Sequence, residues 1–280
     1  MATIIDGKSI AAKIKDELKL EIEKFSTKPK LVVILVGQDP ASQVYVRNKK
    51  KAAEKLGMES VVLELAENVS EKELLNYIDE FNNDEKTNAI LVQMPLPKHI
   101  DTNKVIESIS PIKDVDGFHP INSGRLFTGK NPYAIPCTPK GIIHLIKEYG
   151  IAFEGLNALV IGRSNIVGKP ISQLLLNENA TVTTAHSRTK NISELTKKAD
   201  LIVTAIGKPN YLTADMVKDC VIIIDVGINR IDNKLRGDVD FENVSKKASF
   251  ITPVPGGVGP MTIAMLMKNT VDLYKLQNKI

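Results

Sequence analysis

Cysteine is almost absent from this 280-residue chain: Cys137 and Cys220 are too few for a disulfide framework and lack the C-x-x-C spacing of a metal or redox site. Each reads as a small core or loop residue rather than a nucleophile. Long apolar runs are missing too. The longest, Leu31 to Val36, is six residues and cannot cross a bilayer. The first twenty residues hold Asp6, Asp16 and Glu17 and no continuous apolar stretch, which argues against a signal peptide. A reducing cytoplasm is the expected setting. Lys49-Lys50-Lys51 is the longest basic run, most of which a helix would expose to water, and basic and aromatic residues do not interleave, so no nucleic-acid partner is expected. The four histidines, at 99, 119, 144 and 186, do not pair with carboxylates at metal-ligand spacing, so no metal is expected. His144 reads as a packing residue on an apolar helix. Neither a G-x-S-x-G elbow nor a Walker A sequence occurs, which leaves nucleophile-elbow and P-loop chemistry without an anchor.

The composition, 43% hydrophobic and 25% charged, is that of an ordinary globular protein, and the net charge of +4 is a mild bias toward polyanionic small molecules. The length suggests two domains, each with its own core. Ile10, Ile14, Leu18, Ile22 and Phe25 recur at helical spacing, Lys30 to Val36 reads as a buried strand, and Ala41 to Leu56 reads as a helix stopped by Gly57. Glu59 to Leu65 is a strand of mixed polarity, Ser70 with Glu73 opens a helix through Phe81, Ala89 to Val92 is a short strand, and Asp101 caps another helix. This alternation predicts a parallel α/β domain. Residues 111–136 read as loop, and Thr138-Pro139 as the cap and first residue of a helix ending near Gly150. A second α/β unit follows, with strands at 158–161, 181–185, 201–204, 221–225 and 250–251, and a small surface turn at 231–235. The last helix is expected over 261–277, after the stiff stretch Thr252 to Pro260.

The turn after Val160-Ile161 organises the second unit. In a parallel α/β sheet, a glycine turn from a buried strand into a helix holds phosphate on backbone N–H groups. The G-x-G-x-x-G pattern fails here, with Ser164 and Val167 at two glycine positions and Gly168 one place late. Arg163 supplies a cation beside Gly162, and Ser164 a hydroxyl donor. The next strand ends in His186-Ser187-Arg188, with none of the acid that accepts from the ribose of NAD. Arg163, Ser187 and Arg188 therefore read as a cradle for the 2′-phosphate of NADP, or else as solvated loop residues.

Tyr45 and Lys49 are four apart on a helix, so they share a face. A partly shielded lysine beside a phenol suits acid or base work, although an ordinary exposed lysine beside a half-buried tyrosine fits the same spacing. Gln93 and Asp116 fall where carboxyl-end loops of a parallel sheet gather. Pro255-Gly256-Gly257-Val258-Gly259-Pro260 permits close backbone approach to a ligand with little flexibility, or serves as a stiff linker.

Six strings occur in order: Tyr45-Val46-Arg47-Asn48-Lys49, Val92-Gln93-Met94-Pro95-Leu96-Pro97, Lys113-Asp114-Val115-Asp116-Gly117-Phe118, Pro136-Cys137-Thr138-Pro139-Lys140-Gly141, Gly162 to Pro170, and Pro255 to Thr262. Together they closely resemble the bifunctional methylenetetrahydrofolate dehydrogenase/cyclohydrolase family. The resemblance implies two α/β domains with a cleft between them: a folate-binding catalytic domain over 1–138, completed by a C-terminal helix over 261–280, and a Rossmann-like NADP-binding domain over 139–260. It also implies an enzyme of one-carbon metabolism and purine biosynthesis, cytoplasmic and homodimeric through the cofactor domain. Such an enzyme oxidises 5,10-methylenetetrahydrofolate with NADP⁺ and hydrolyses the methenyl product to 10-formyltetrahydrofolate.

By the same resemblance, Lys49 performs the proton transfers, Tyr45 positions the folate rings and helps align Lys49, Gln93 bonds Lys49, and Asp116 accepts from the pterin. Val92, Pro255 and Gly256 line the folate slot, and Gly162, Arg163, Ser164, Ser187 and Ile228 contact NADP. Two rival readings are a monofunctional NAD(P)-dependent dehydrogenase and a non-catalytic NADP sensor, the latter having no use for Lys49, Gln93 and Asp116 together.

Overall fold

The computed structural model describes residues 2–232 and 234–280. In chain order the elements are β1 (Thr3–Ile4), α1 (Gly7–Ile22), β2 (Lys30–Val36), α2 (Pro40–Lys55), β3 (Glu59–Leu65), α3 (Glu71–Asn83), β4 (Ala89–Val92), α4 (Thr102–Ser108), α5 (Pro120–Phe127) and α6 (Cys137–Glu148). They continue with β5 (Asn157–Ile161), α7 (Gly168–Asn177), β6 (Thr181–Ala185), α8 (Ile192–Lys198), β7 (Leu201–Thr204), β8 (Ile222–Asp225), β9 (Asn229–Ile231), β10 (Lys234–Arg236), α9 (Phe241–Val244), β11 (Phe250–Ile251) and α10 (Val258–Asn278). Two compact units result, Met1–Ala12 with Pro136–Thr262, and Lys13–Ile135 with Ile263–Ile280.

The unit around Lys13–Ile135 holds a parallel sheet in the order β3-β2-β4. β2 is central, and residues 31–36 are buried on both faces, which is why it reads as an unbroken apolar run. Each such side chain contributes roughly 1.5–3 kcal/mol of burial. β3 is an edge strand with exposed Glu59, Val61 and Glu64, hence its mixed sequence. Asp39 caps α2 by accepting from Ser42 N–H, Pro40 takes the first helical position, and Gly57 closes the helix at φ +83°. Ser70 Oγ accepts from Glu73 N–H at the start of α3, and Asp101 does the same for α4.

The unit around Pro136–Thr262 holds a parallel sheet in the order β1-β11-β8-β7-β5-β6. Ile161, Ile202, Ile223 and Ile251 share its core. From β5 the chain passes to β6 on one side and then to β7 on the other, so the order reverses at β5. That reversal opens a crevice outside the carboxyl ends of the strands.

Several local expectations are corrected. Residues 111–136 contain the helix α5, whose N-terminus is capped by His119 Nδ1 accepting from Ile121 N–H. Thr138 is not a cap: α6 starts at Cys137, and Thr138 Oγ1 shares a 2.9 Å hydrogen bond with Thr262 Oγ1. α10 begins at Val258, so Gly259 and Pro260 are in its first turn, where a proline is tolerated. Phe25 lies beyond the end of α1. His144 is not a packing residue: its partly exposed ring lies 3.7 Å from Glu148 one turn on. The unpredicted β1 pairs with β11, so the first residues belong with the six-stranded sheet, whereas the sequence-based boundary grouped them with residues up to 138. Of the turn expected at 231–235, Asn233 lies outside the described residues, and its flanks pair as the hairpin β9-β10.

Candidate active site

In the unit around β2, α2 leaves the carboxyl end of the central strand and carries Tyr45 and Lys49 one turn apart. Tyr45 is half exposed and Lys49 half buried. Lys49 Nζ donates to Gln93 Oε1 at 2.9 Å. Gln93 Nε2 donates to Met94 O at 2.7 Å, which fixes the amide so that its oxygen faces the lysine. Val92, the last residue of β4, is buried beside it, and the Met94-Pro95 peptide that follows is cis.

Asp116 reaches the same strand end by a second route. Ile90 N–H donates to Lys113 O at 2.8 Å, and Ile90 bridges Asp114 in parallel, so residues 113–116 run alongside β4. Two buried side chains hold this segment. Lys113 Nζ donates to the carbonyls of Phe81, Asn82 and Asp84 at the end of α3. The Asp114 carboxylate accepts from Gly117 N–H, His119 N–H and Asn122 Nδ2. Between these anchors the Asp116 carboxyl is pushed up to about 6, chiefly by burial, with the Lys49 ammonium opposing and the Asp114 charge reinforcing the shift. Lys49, Gln93 and Asp116 thus form one electrostatic group. Residue type and spacing alone point to no task for Lys113, Asp114 or Asn122. Only the paired charges within four residues hinted at one.

In the other unit, Gly162, Arg163 and Ser164 follow β5, Ser187 and Arg188 follow β6, Ile228 follows β8, and Pro255 and Gly256 follow β11, all at the carboxyl edge of one sheet. Gly162 has φ +137°, and a Cβ there would lie 2.5 Å from Ala205 O. A Cβ on Gly168 would lie 2.4 Å from Gly162 O, so this glycine allows the close strand–helix approach of the usual fingerprint, one residue later. The turn departs from expectation in its hydrogen bonding. Val167 and Gly168 N–H both donate to Ser164 Oγ, so these amides of the α7 start are engaged within the turn. Ser164 keeps its own hydroxyl proton to donate outward, beside the exposed Arg163.

Arg188 N–H donates to His186 Nδ1 and His186 N–H to Thr189 Oγ1, a tight turn that exposes Ser187 and Arg188. Ile228 is 49% exposed. Gly256, at φ +111° after the cis Val254-Pro255 peptide, accepts from Lys8 N–H. Exposed donors, no acid at the end of β6, and a strand-order reversal at β5 together fit a phosphorylated nicotinamide dinucleotide. A cavity of about 300 Å³ lined by Asn210, Arg236, Phe241 and Val254 involves none of the residues expected to bind cofactor or folate.

Residues 136–278 match the tetrahydrofolate dehydrogenase/cyclohydrolase NAD(P)-binding domain, and residues 5–116 match the catalytic domain of the same family. The bifunctional protein FolD of Campylobacter hominis is 59% identical, with 97% of each chain covered. A crystal structure of the bifunctional FolD methylenetetrahydrofolate dehydrogenase/cyclohydrolase from Campylobacter jejuni is 52% identical, covers 100% of both chains and superposes with a TM-score of 0.97. The Trypanosoma brucei dehydrogenase-cyclohydrolase, solved with NADP cofactor and inhibitor, is 37% identical over 100% of this chain and 99% of its own, with a TM-score of 0.95. With both family domains matched in order along nearly its whole length, the chain belongs to the tetrahydrofolate dehydrogenase/cyclohydrolase family.

Proposed function

We propose that this enzyme oxidises 5,10-methylenetetrahydrofolate with NADP⁺ and hydrolyses the resulting methenyl compound to 10-formyltetrahydrofolate, with Lys49 as its proton-transfer group. The 2.9 Å bond from Lys49 Nζ to the oriented Gln93 amide, beside the Asp116 carboxyl, is the observation that carries this reading.

The bridge carbon lies between two nitrogens whose lone pairs expel hydride and share the positive charge left behind, so the first step needs orientation more than a base. Bound NADP⁺ accepts that hydride. Arg163, Ser164, Ser187 and Arg188 hold its phosphates, and Ile228 packs beside it. Asp116 accepts from the pterin ring N–H and amino group, a paired contact suited to a carboxylate. Tyr45 orients the folate rings, and Val92 lines the slot that holds them.

Hydrolysis then requires water to lose a proton as its oxygen attacks the methenyl carbon, and a ring nitrogen to gain one as its bond to that carbon breaks. One further proton is released to solvent. Lys49 moves these protons while Gln93 fixes its position.

The purified protein, mixed with methylenetetrahydrofolate and either NADP⁺ or NAD⁺, tests this reading when reduced cofactor and the methenyl chromophore are followed together. Reduction of NADP⁺ with transient methenyl absorbance is expected. Tight NADP⁺ binding without turnover favours a sensor, and methenyl compound that accumulates without hydrolysis favours a monofunctional dehydrogenase. No described helix is long and apolar enough to cross a membrane. The same reading makes the protein a cytoplasmic homodimer associating through its cofactor unit, which sedimentation velocity checks.

A further inference from the structure

Two buried carboxylates behind the cofactor edge have no part in the chemistry above. Asp225, at the end of β8, is 3% exposed, and Asp238, just after β10, is fully buried. Asp238 accepts from Ile206 N–H at 2.8 Å, Gly207 N–H at 3.1 Å and Lys208 N–H at 2.8 Å, three successive amides of the loop after β7. It also accepts from Asn229 Nδ2 at 3.1 Å. Asp225 accepts from Gly227 N–H at 2.9 Å, Asp238 N–H at 2.9 Å, Val239 N–H at 3.0 Å and Thr204 Oγ1 at 3.3 Å. Its own N–H donates to Thr252 Oγ1 at 2.7 Å, at the end of β11.

Two glycines make room for this network. A Cβ on Gly227 would sit 2.2 Å from Asp238 Oδ1, and one on Gly237 would sit 1.8 Å from Asp225 Oδ2. Neither has a positive φ, so close neighbours rather than backbone conformation require glycine there: the two carboxylates foremost, with Asp238 N 2.6 Å from the Gly227 Cβ position and Val254 Cγ2 2.9 Å from that of Gly237.

The loops so tied are those a dinucleotide must cross. Arg163 on the β5 loop and Ser187 and Arg188 on the β6 loop mark the phosphate-rich end, and the sheet continues through β7 and β8. From β6 to β8 is three strand spacings, about 14 Å. The nicotinamide half therefore meets the loops after β7 and β8. Ile228, exposed on the loop after β8, lies between Gly227, bonded to Asp225, and Asn229, bonded to Asp238.

We infer that Asp225 and Asp238 are positioning residues for hydride transfer: by fixing the loops after β7 and β8 they set the seat of the nicotinamide ring. This rests on the NADP-dependent reading above. Wild-type enzyme that fails to reduce NADP⁺ defeats that reading, whereas the variants below test the positioning role alone.

Asp238→Asn places an NH₂ against one pair of the N–H donors that now converge on the carboxylate. Gly227→Ala pushes on the same carboxylate, and on the Asp238 backbone behind it, without changing charge. Both variants are expected to raise KM for NADP⁺, or lower the dehydrogenase kcat, by about tenfold or more, while hydrolysis of methenyltetrahydrofolate, which consumes no cofactor, stays within about twofold of wild type. Retained hydrolysis also reports that the variant is folded. Unchanged dehydrogenase kinetics in either folded variant overturns the inference. So does a parallel loss of both activities in both, which reduces the pair to a structural staple.

Discussion

Lys49 and Arg163 carry the two halves of the proposed chemistry, and each admits a test the other fails. Replacing Lys49 with alanine removes the ammonium that meets Gln93 Oε1 and opposes the rise in the Asp116 carboxyl. Methenyl hydrolysis should fall by about 100-fold or more, within the range general acid–base groups supply, with Kd for NADP⁺ nearly unchanged. A comparable loss of NADP⁺ affinity, measured by titration calorimetry, contradicts the assignment. Arg163→Ala should weaken NADP⁺ by roughly tenfold or more, as losing a charge-assisted bond does, and leave NAD⁺ little affected. Equal losses for both cofactors place the guanidinium elsewhere than on the 2′-phosphate. At this scale the sequence was informative because charge, hydroxyl and missing acid are properties of single positions. It did not reveal that Ser164 Oγ turns inward to accept from Val167 and Gly168 N–H, since that depends on how the turn closes.

Among the elements, the segment 113–116 beside β4 depends on a lysine that touches no expected site residue. The buried Lys113 ammonium replaces the hydrogen bonds that the last carbonyls of α3 lack at a helix end, and burial lowers its pKa. Lys113→Met should cost about 2–3 kcal/mol of stability by leaving those carbonyls without a charged donor. It should also raise KM for folate through the Asp116 loop. A variant with wild-type unfolding midpoint in urea and unaltered KM refutes this. The strands and most helices were legible because apolar spacing and caps such as Asp39, Ser70 and Asp101 are local signals. α5 was not, since its cap is a histidine nitrogen and Gly124 interrupts its short run. Residues 258–260 looked like a linker because glycine and proline ordinarily break helices, but a first turn accepts both.

For the whole molecule, Asp116 links function to stability. In the unfolded chain this carboxyl ionises near 3.8, and in the folded protein near 6. Its stabilising contribution is complete below pH 3.8 and is lost as pH rises through about 6. Asp116→Asn is therefore expected to melt with the wild type at pH 4 and above it at pH 7, each kcal/mol appearing as about 2–4 °C, while its KM for folate rises. A melting difference equal at both pH values, measured by calorimetry, rules this out. The sequence alone determined the two α/β units, the glycine turn and the ordered strings that mark the family, because periodicity, punctuation and residue type are written locally. Only the tertiary structure decided that Asp225 and Asp238 share one network with loops up to 32 positions away, that Lys113 closes α3, and that Lys49 meets Gln93. Those outcomes depend on which distant backbone amides and carbonyls burial leaves in need of a partner, and no local pattern records that.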